Sequence, residues 1–200
     1  MSKNKPSKNY IETLRLNIEH SLDYKSVISF TSTDARVKKS ETVVALARNF
    51  AKGGYKICLI DANLNNGKIS NLTKSTNNKG FSDVITHKIP YENVITKDIY
   101  QENLDLILSG EKIDESFDTI DSSNLQGFLD SIKHKYDYIL IDTPPNKKRA
   151  DANLISTKTD GVIIITDYKY SNKKDLDNSI EKIKKVNGEV LGIIISGGVI

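Results

Sequence analysis

Residues 30–47, FTSTDARVKKSETVVALA, run from an apolar strand through a cationic loop into an amphipathic helix. A phosphate-binding loop of the Walker A type reads G-x-x-x-x-G-K-[ST] at such a junction. When this motif is aligned on Lys39 and Ser40, its two glycine positions fall on Thr33 and Lys38. The lysine and the hydroxyl are therefore present, and both glycines are replaced. A Lys-Ser pair alone is weak evidence, so the interpretation depends on the surrounding chain.

Outside this junction, short apolar runs alternate with segments of helical spacing. Strands are predicted at residues 26–31, 56–61, 104–109, 136–142, 161–167 and 190–196, and helices at residues 10–21, 40–52, 82–86, 123–132, 152–157 and 173–186. Strands made of continuous apolar residues are typical of a parallel sheet covered on both faces. The predicted fold is α/β: a single-domain, doubly wound, mostly parallel sheet of the P-loop NTPase type over residues 10–200, after a mobile tail at residues 1–9.

Composition indicates a soluble globular protein, with 38% hydrophobic and 28% charged residues among 200. The apolar runs are too short to span a bilayer, and the first residues lack a signal-peptide pattern. Cys58 is the one cysteine and lies in an apolar run, which favours a reduced cytoplasmic setting and a buried core position. The net charge of +3 is spread along the chain. We therefore expect a cytoplasmic protein with no nucleic-acid partner and no direct membrane insertion.

Three polar segments each follow a predicted strand, at residues 31–40, 61–65 and 142–145. In parallel α/β sheets, ligands bind beyond the carboxyl ends of the strands. The three segments are therefore predicted to form one shared site.

The loop after the first strand supplies the candidate nucleotide-binding residues Arg36, Lys38, Lys39, Ser40 and Thr42. Three cations within four positions attract an anion. In a working loop, the lysine would contact the β- and γ-phosphates and the serine hydroxyl would bind Mg²⁺. The cofactor implied is Mg-ATP or Mg-ADP.

Two acids complete the candidate site. Asp142 ends the strand YDYILID and would hold Mg²⁺ together with Ser40, directly or through water. The alternative is a strand-end carboxylate that caps a turn. Asp61 would bind metal-bound water or act as a base, whereas Asn63 cannot accept a proton. Asp61 and Asp142 are thus the residual catalytic candidates.

The substitutions in the loop have predictable physical effects. Lys38 places a side chain where a glycine with positive φ is usual, which predicts strain of about 1–3 kcal/mol. Glu41 lies in the first turn of the helix, where it could pair with Lys39 or Lys38 and partly replace a phosphate. The alternative is an ordinary first-turn acid.

The order of these motifs resembles the cytoplasmic tyrosine kinases of bacterial capsule and exopolysaccharide operons, within the MinD/ParA-like group of P-loop proteins. The resemblance covers about residues 10–196. YIETLRLNIE resembles the family's N-terminal helix, GGYKICLIDANLNNGK its Walker A′ segment, and YDYILIDTPP its Walker B segment. The resemblance implies a protein-tyrosine kinase that uses ATP and works with a membrane adaptor.

Departures from the family's pattern fall at positions that the resemblance assigns to nucleotide chemistry, oligomerisation or phosphorylation. Glycines are usual at Arg36 and Lys38, and a hydroxyl residue at Glu41. The Walker A′ pattern Asp-x-Asp-x-Arg keeps only its first acid, and the oligomerisation motif of the first helix keeps only Arg15. A proline-rich segment is replaced by KIDESFDTID, and the family's C-terminal tyrosine cluster is not found within the 200 residues.

The function implied is therefore a regulatory pseudokinase of capsule or exopolysaccharide biosynthesis, with impaired or lost ATP binding and phosphoryl transfer. Its partners would be a membrane adaptor of polysaccharide export and an intact kinase paralogue. One alternative is an active ATP-dependent tyrosine kinase with an atypical Walker A loop. Another is a MinD/ParA-like ATPase switch, which is disfavoured because Asp34 stands where that group has its signature lysine.

Overall fold

The computed structural model describes residues 8–22, 26–87, 89–98, 101–113, 122–147 and 150–196. Its elements in chain order are α1 (Lys8–Ser21), β1 (Val27–Ser32), α2 (Lys39–Lys52), β2 (Ile57–Asp61), α3 (Ile69–Thr73), α4 (Phe81–His87), a 3-10 turn (Tyr91–Asn93), β3 (Ile95–Lys97), β4 (Leu104–Ile107), α5 (Ser122–Ile132), β5 (Tyr138–Asp142), α6 (Asp151–Ser156), β6 (Gly161–Asp167), α7 (Lys173–Lys185) and β7 (Val190–Ser196).

The strands form one seven-stranded sheet in the order β3-β4-β2-β5-β1-β6-β7. All neighbouring strands are parallel except β3, which pairs antiparallel with β4 at one edge. The predicted mostly parallel α/β sheet is confirmed. Because β1 lies between β5 and β6, the chain reverses its direction of progress across the sheet at β1. Such a switch point opens a crevice at the carboxyl ends of the strands.

Alternate residues of the central strands face opposite layers of helices, as the two-residue period of a strand requires. Leu59 and Leu140 belong to the apolar cluster that contains residues of α1 and α2. Ile60 and Ile141 belong to the cluster that contains residues of α4, α5 and α6. A third cluster joins β6 to Ile183 of α7. Burying each such side chain stabilises the fold by about 1.5–3 kcal/mol, so the sheet is held from both faces.

Most predicted elements are observed with bounds shifted by one to three residues. The exceptions are short: β3 has three residues and α3 has five, which is too few for a periodic pattern to develop. Helix α1 begins at Lys8, inside the predicted tail, and residues 1–7 lie outside the described chain. Most of the acidic segment at residues 111–121 also lies outside it.

Two smaller predictions concern single residues. Cys58 is fully buried, as expected, and burial raises the pKa of its thiol. Arg15, the remnant of the oligomerisation motif, donates from Nε to Asn49 Oδ1 of α2 at 2.8 Å and pairs with Glu19. Arg15 therefore links α1 to α2 within the chain. Among the described helices, none is long and apolar enough to cross a membrane.

Candidate functional site

The three polar segments predicted to share a site meet at the carboxyl edge of adjacent strands. Asp61 of β2 and Asp142 of β5 are register partners, and Phe30 of β1 lies opposite Asp142 on the other side. The backbone N–H of Ala62 donates to the carbonyl of Asp142 (2.9 Å), and that of Thr143 donates to the carbonyl of Phe30 (3.0 Å). The structure therefore brings the β1–α2 loop and both acids together.

Asp142 binds the first two residues of α2. Its Oδ1 contacts the ammonium group of Lys39, and its Oδ2 accepts a hydrogen bond from the hydroxyl of Ser40 at 2.6 Å. The side chains of Lys39 and Asp142 are only 4% and 0% exposed. Both carboxylate oxygens thus have partners from one helix N-terminus, in the dry interior where an unpaired charge is costly.

The carboxylate of Asp34 is the negatively charged group to which the loop bonds. Its carboxylate accepts hydrogen bonds from the backbone N–H (3.0 Å), Nε (2.8 Å) and Nη2 (3.1 Å) of Arg36. The hydrogen bond from the Arg36 side chain lowers the pKa of Asp34 to about 2. A carboxylate that accepts from the amide two residues onward forms an Asx turn, which the Asp-Ala-Arg order permits. Sequence reasoning assigned no such role to Asp34.

Two further amides of the loop also donate to acceptors within the loop. The N–H of Val37 donates to the carbonyl of Asp34 (3.3 Å), and the N–H of Lys39 donates to the carbonyl of Val37 (2.8 Å). A phosphate-binding loop instead points successive N–H groups at the anion. In this loop, the amides of Arg36, Val37 and Lys39 all have protein acceptors.

The predicted backbone strain at Lys38 is wrong. Lys38 has φ −76° and ψ 51°, and its neighbour Lys39 donates back to the carbonyl of Val37. This is an inverse γ-turn, a conformation with negative φ that any residue can adopt. The chain passes the second glycine position without entering the left-handed region, so the lysine side chain costs little there.

The predicted pairing of Glu41 is also wrong. Lys39 binds Asp142 rather than Glu41, and no ion pair joins Lys38 to Glu41, both of which lie in the described part of the chain. Glu41 Oε2 is buried and has no hydrogen-bond partner among the described residues. Its carboxylate remains in the first turn of α2, where the helix dipole favours a negative charge.

Thr42, another candidate for nucleotide binding, bonds within its own helix. Its hydroxyl donates to the carbonyl of Lys38 at 3.0 Å, four residues earlier. The side chain is buried. This contact ties the end of the loop to the first turn of α2, so Thr42 has a structural use that needs no ligand.

Asp61 is buried and holds the turn that follows β2. Its Oδ1 accepts from the N–H of Asn63 (3.2 Å), and its Oδ2 accepts from the N–H of Ile69 (3.0 Å) at the start of α3. Burial, and after it the charge of Asp142, raise the pKa of Asp61 to about 7. A group that titrates near neutral pH is suited to proton transfer, but both of its oxygens here serve backbone amides.

Asn146 is a second residue that sequence reasoning missed. It is 1% exposed, its Nδ2 donates to the carbonyl of Ser179 (3.1 Å), and its Oδ1 accepts from the Ser179 hydroxyl (2.7 Å). Its backbone N–H donates to the carbonyl of Ser32 at 3.2 Å. The loop after β5 is therefore fastened to both β1 and α7. A pairing across 33 positions leaves no local signal in the sequence.

The donor set fits Mg²⁺ in part. Asp142 and Ser40 offer a carboxylate and a hydroxyl, which are the hard oxygen ligands that Mg²⁺ prefers. Within the described ranges, no group of three His, Cys, Asp or Glu side chains could hold a metal by itself. Magnesium would therefore depend on phosphate and water oxygens for its other ligands. The phosphate half of the site fits less well, because the amides of Arg36, Val37 and Lys39 already have acceptors.

The fold and this site define the class of protein. In P-loop α/β proteins, the loop after the central strand leads into a helix that begins with Lys-Ser and faces an aspartate at the end of the neighbouring strand, as β1, α2 and β5 do here. The sequence profile of the family described as "AAA domain" matches residues 25–193. The chain belongs to this family, and it is similar to bacterial tyrosine-protein kinases.

Three named proteins are similar to this chain over most of its length. Tyrosine-protein kinase CpsD of Streptococcus pneumoniae is 29% identical over 193 residues, which are 96% of this chain and 85% of that protein. The crystal structure of the chimerical protein CapA2B2 has a TM-score of 0.87 and 25% identity, covering 95% of this chain and 84% of that one. MinD of Pyrococcus horikoshii, complexed with Mg-ADP, shares the fold with a TM-score of 0.73 and 24% identity, over 85% of this chain and 69% of that one.

Proposed function

We propose that this chain is a regulatory pseudokinase of capsule or exopolysaccharide biosynthesis, with impaired or lost ATP binding and phosphoryl transfer. It keeps the fold of its kinase relatives and acts through protein contacts on the polysaccharide machinery. Its place of action is the cytoplasm, at the inner face of the membrane when a partner holds it there.

One observation carries this proposal: the β1–α2 loop bonds to itself. The carboxylate of Asp34 and two loop carbonyls accept the amide protons of Arg36, Val37 and Lys39. A bound phosphate would have to displace the Asp34 carboxylate from Arg36 and compete with it as a second anion. Both the lost hydrogen bonds and the like-charge repulsion oppose nucleotide binding.

The residues that would hold a nucleotide are nonetheless adjacent. Ser40 and Asp142 would hold Mg²⁺, and Lys39 would exchange its contact with Asp142 for the β- and γ-phosphates. A bound Mg-nucleotide would supply the phosphoryl group for transfer. Asp61 is the remaining acid, and its oxygens are engaged by Asn63 and Ile69. This incomplete set favours weak binding or none.

Calorimetric titration with Mg-ATP and Mg-ADP tests the proposal. Three proteins are compared: the unaltered chain, Lys39→Ala, and the restored-loop variant Arg36→Gly/Lys38→Gly/Glu41→Thr. Circular dichroism confirms that each is folded before titration. We expect no binding by the unaltered chain and measurable binding by the restored loop.

Other outcomes separate the alternatives. Tight binding by the unaltered chain that is lost in Lys39→Ala would contradict the proposal and favour an active kinase with an atypical loop. Absence of binding in the restored loop as well would show that these three substitutions are not what impairs the site.

The partners we propose are a membrane adaptor of polysaccharide export and an intact kinase paralogue. The relatives in this tyrosine-kinase group support that context. Co-purification of the tagged chain with the adaptor's cytoplasmic segment tests it. The restored-loop variant is the matched control. If the contact serves regulation without nucleotide, Mg-ATP should leave adaptor binding by the unaltered chain unchanged. It should change adaptor binding by the restored-loop variant.

A further inference from the structure

The turn between β6 and α7, residues 168–172, lies beside the β1–α2 loop and is itself well fixed. The N–H groups of Tyr170 and Ser171 both donate to the carbonyl of Asp167 at 3.0 Å, and Asp167 Oδ1 accepts from the N–H of Lys169 at 2.8 Å. At its far end, Asn172 caps α7 in a capping box with Asp175. A turn held at both ends can position side chains against its neighbour.

Two side chains of this turn contact the β1–α2 loop. The hydroxyl of Thr33 is hydrogen-bonded to that of Ser171 and, at 3.0 Å, to that of Thr166. The guanidinium carbon of Arg36 lies 4.9 Å from the ring centroid of Tyr170. The turn therefore touches the loop at its first position and again three residues later.

We propose that these two contacts, Thr33–Ser171 and Arg36–Tyr170, form an autoinhibitory contact that holds the β1–α2 loop in its self-bonded conformation. The inference rests on the proposed function, because it names what keeps the same site from taking a nucleotide. It assigns a positioning role to Tyr170 and Ser171, which do not belong to the candidate nucleotide site.

The orientation of Arg36 is the central step of the argument. Its guanidinium binds both carboxylate oxygens of Asp34 while one face lies over Tyr170. The carboxylate holds the guanidinium by two hydrogen bonds and the ring covers one of its faces, while the side chain as a whole is 64% exposed to solvent. The Asx turn of Asp34, which occupies the Arg36 amide, is thereby maintained.

Thr33 is the second step. It stands at the first glycine position of the motif, and its buried hydroxyl bonds to β6 and to the β6–α7 turn. A glycine could make neither bond. The substitution that removes the motif's first glycine therefore also creates the attachment of the loop to its neighbour.

Amide hydrogen exchange tests this contact in the absence of nucleotide, with the unaltered full chain as the reference. The variants are Tyr170→Ala, Tyr170→Phe and Ser171→Ala, each compared with Tyr168→Ala. Tyr168 is the matched control, because it lies in the same turn and is 73% exposed. The readout is the exchange rate of the Arg36 and Val37 amides, with unfolding midpoints measured in parallel.

We expect exchange of these amides to accelerate about two- to fivefold in Tyr170→Ala, which removes the aromatic face. Ser171→Ala should accelerate exchange similarly. Tyr170→Phe keeps the ring, so exchange of these amides should stay as slow as in the unaltered chain. Tyr168→Ala should leave it unchanged. Equal rates in Tyr170→Ala and Tyr168→Ala, with both proteins folded, would overturn the inference.

A second titration separates this inference from the proposed function. Tyr170→Ala introduced into the restored-loop variant should leave Mg-ADP affinity within about twofold, because Arg36 is already absent there. A larger gain would show that Tyr170 acts without Arg36 and would overturn the mechanism. Tight binding by the unaltered chain would contradict the proposed function, whereas the exchange rates decide on the contact independently.

Discussion

Lys39 and Asp142 lie 103 positions apart in the chain, and their charged groups are in contact in the interior. The same carboxylate accepts the hydroxyl of Ser40. Through these two bonds, the end of β5 fixes the N-terminus of α2. The group that would hold magnesium in a nucleotide complex is here a structural partner of the loop's own lysine.

Removing the charge of Asp142 should therefore be strongly destabilising. Asp142→Asn leaves the buried ammonium of Lys39 without a counter-charge, and we expect the free energy of unfolding to fall by about 3–5 kcal/mol. Urea unfolding at pH 7.5 measures the loss. The double variant Lys39→Met/Asp142→Asn should be more stable than Asp142→Asn alone.

The control for this prediction is the pair of Lys133 and Asp130, whose side chains are 57% and 47% exposed. Asp130→Asn should change stability far less than Asp142→Asn does, because solvent screens exposed pairs. Comparable losses at Asp130 and Asp142 would contradict a special role for burial.

Asp61 predicts a pH dependence of stability. Its pKa is raised to about 7 by burial and by Asp142, above the value of about 3.9 in an unfolded chain. Between these values, the folded protein binds a proton that the unfolded chain does not. The contribution of Asp61 to the free energy of unfolding is therefore complete below about pH 4 and is lost as the pH rises through 7.

Urea unfolding at pH 5 and pH 8 measures this loss. Relative to Asp61→Asn, which cannot ionise, we expect the unaltered chain to lose on the order of 2 kcal/mol more between these pH values. Asp34→Asn is the control. The Arg36 side chain holds the pKa of Asp34 at about 2, so that group changes stability only as the pH falls below about 4. An identical pH slope in Asp61→Asn and the unaltered chain would refute the prediction.

Gly67 should not tolerate a side chain. A Cβ there would lie 2.4 Å from Ser109 Oγ and 2.8 Å from Asp61 Oδ2. We expect Gly67→Ala to lower the free energy of unfolding by about 1–3 kcal/mol, because overpacking displaces these side chains. At Gly127, in the exposed face of α5, a Cβ meets nothing within 4 Å. Gly127→Ala should instead stabilise the protein by about 0.5–1 kcal/mol, and thermal unfolding distinguishes the two signs.

The Ser179 hydroxyl should contribute more to the free energy of unfolding than a helical serine usually does. Its hydroxyl donates to Asn146 Oδ1, and both residues are buried. Ser179→Ala leaves a buried amide oxygen without this donor, so we expect a loss of about 1–3 kcal/mol in urea unfolding. Ser131, whose hydroxyl bonds within its own helix, is the comparison. A Ser131→Ala variant as destabilised as Ser179→Ala would refute the assignment.

Much of the architecture could be predicted because its causes are local. Continuous apolar runs such as ICLI in β2 and YILI in β5 can be satisfied only by burial on both faces, which a parallel sheet provides. Helical periodicity in α2 and α7 is equally local. The meeting of Asp61 and Asp142 also followed, since the carboxyl ends of parallel strands lie at one edge.

The bonds inside the site could not be predicted in the same way. Three nearby cations and four nearby acids allow many pairings. The sequence left Glu41 either as a partner of Lys39 or Lys38, or as an ordinary first-turn acid. The fold places Asp142 beside Lys39 and lets Asp34 close a turn on Arg36. A buried ion pair forms only where the backbone already holds both groups within contact distance.

Local pattern therefore specified the strands, the helices and the edge of the sheet at which the polar segments gather, because periodicity and turn chemistry act over a few residues. Only the tertiary structure decided which donors meet which acceptors there, including Thr33 with Ser171 and Asn146 with Ser179. Those contacts join residues more than thirty positions apart, and their distances depend on how every intervening element packs.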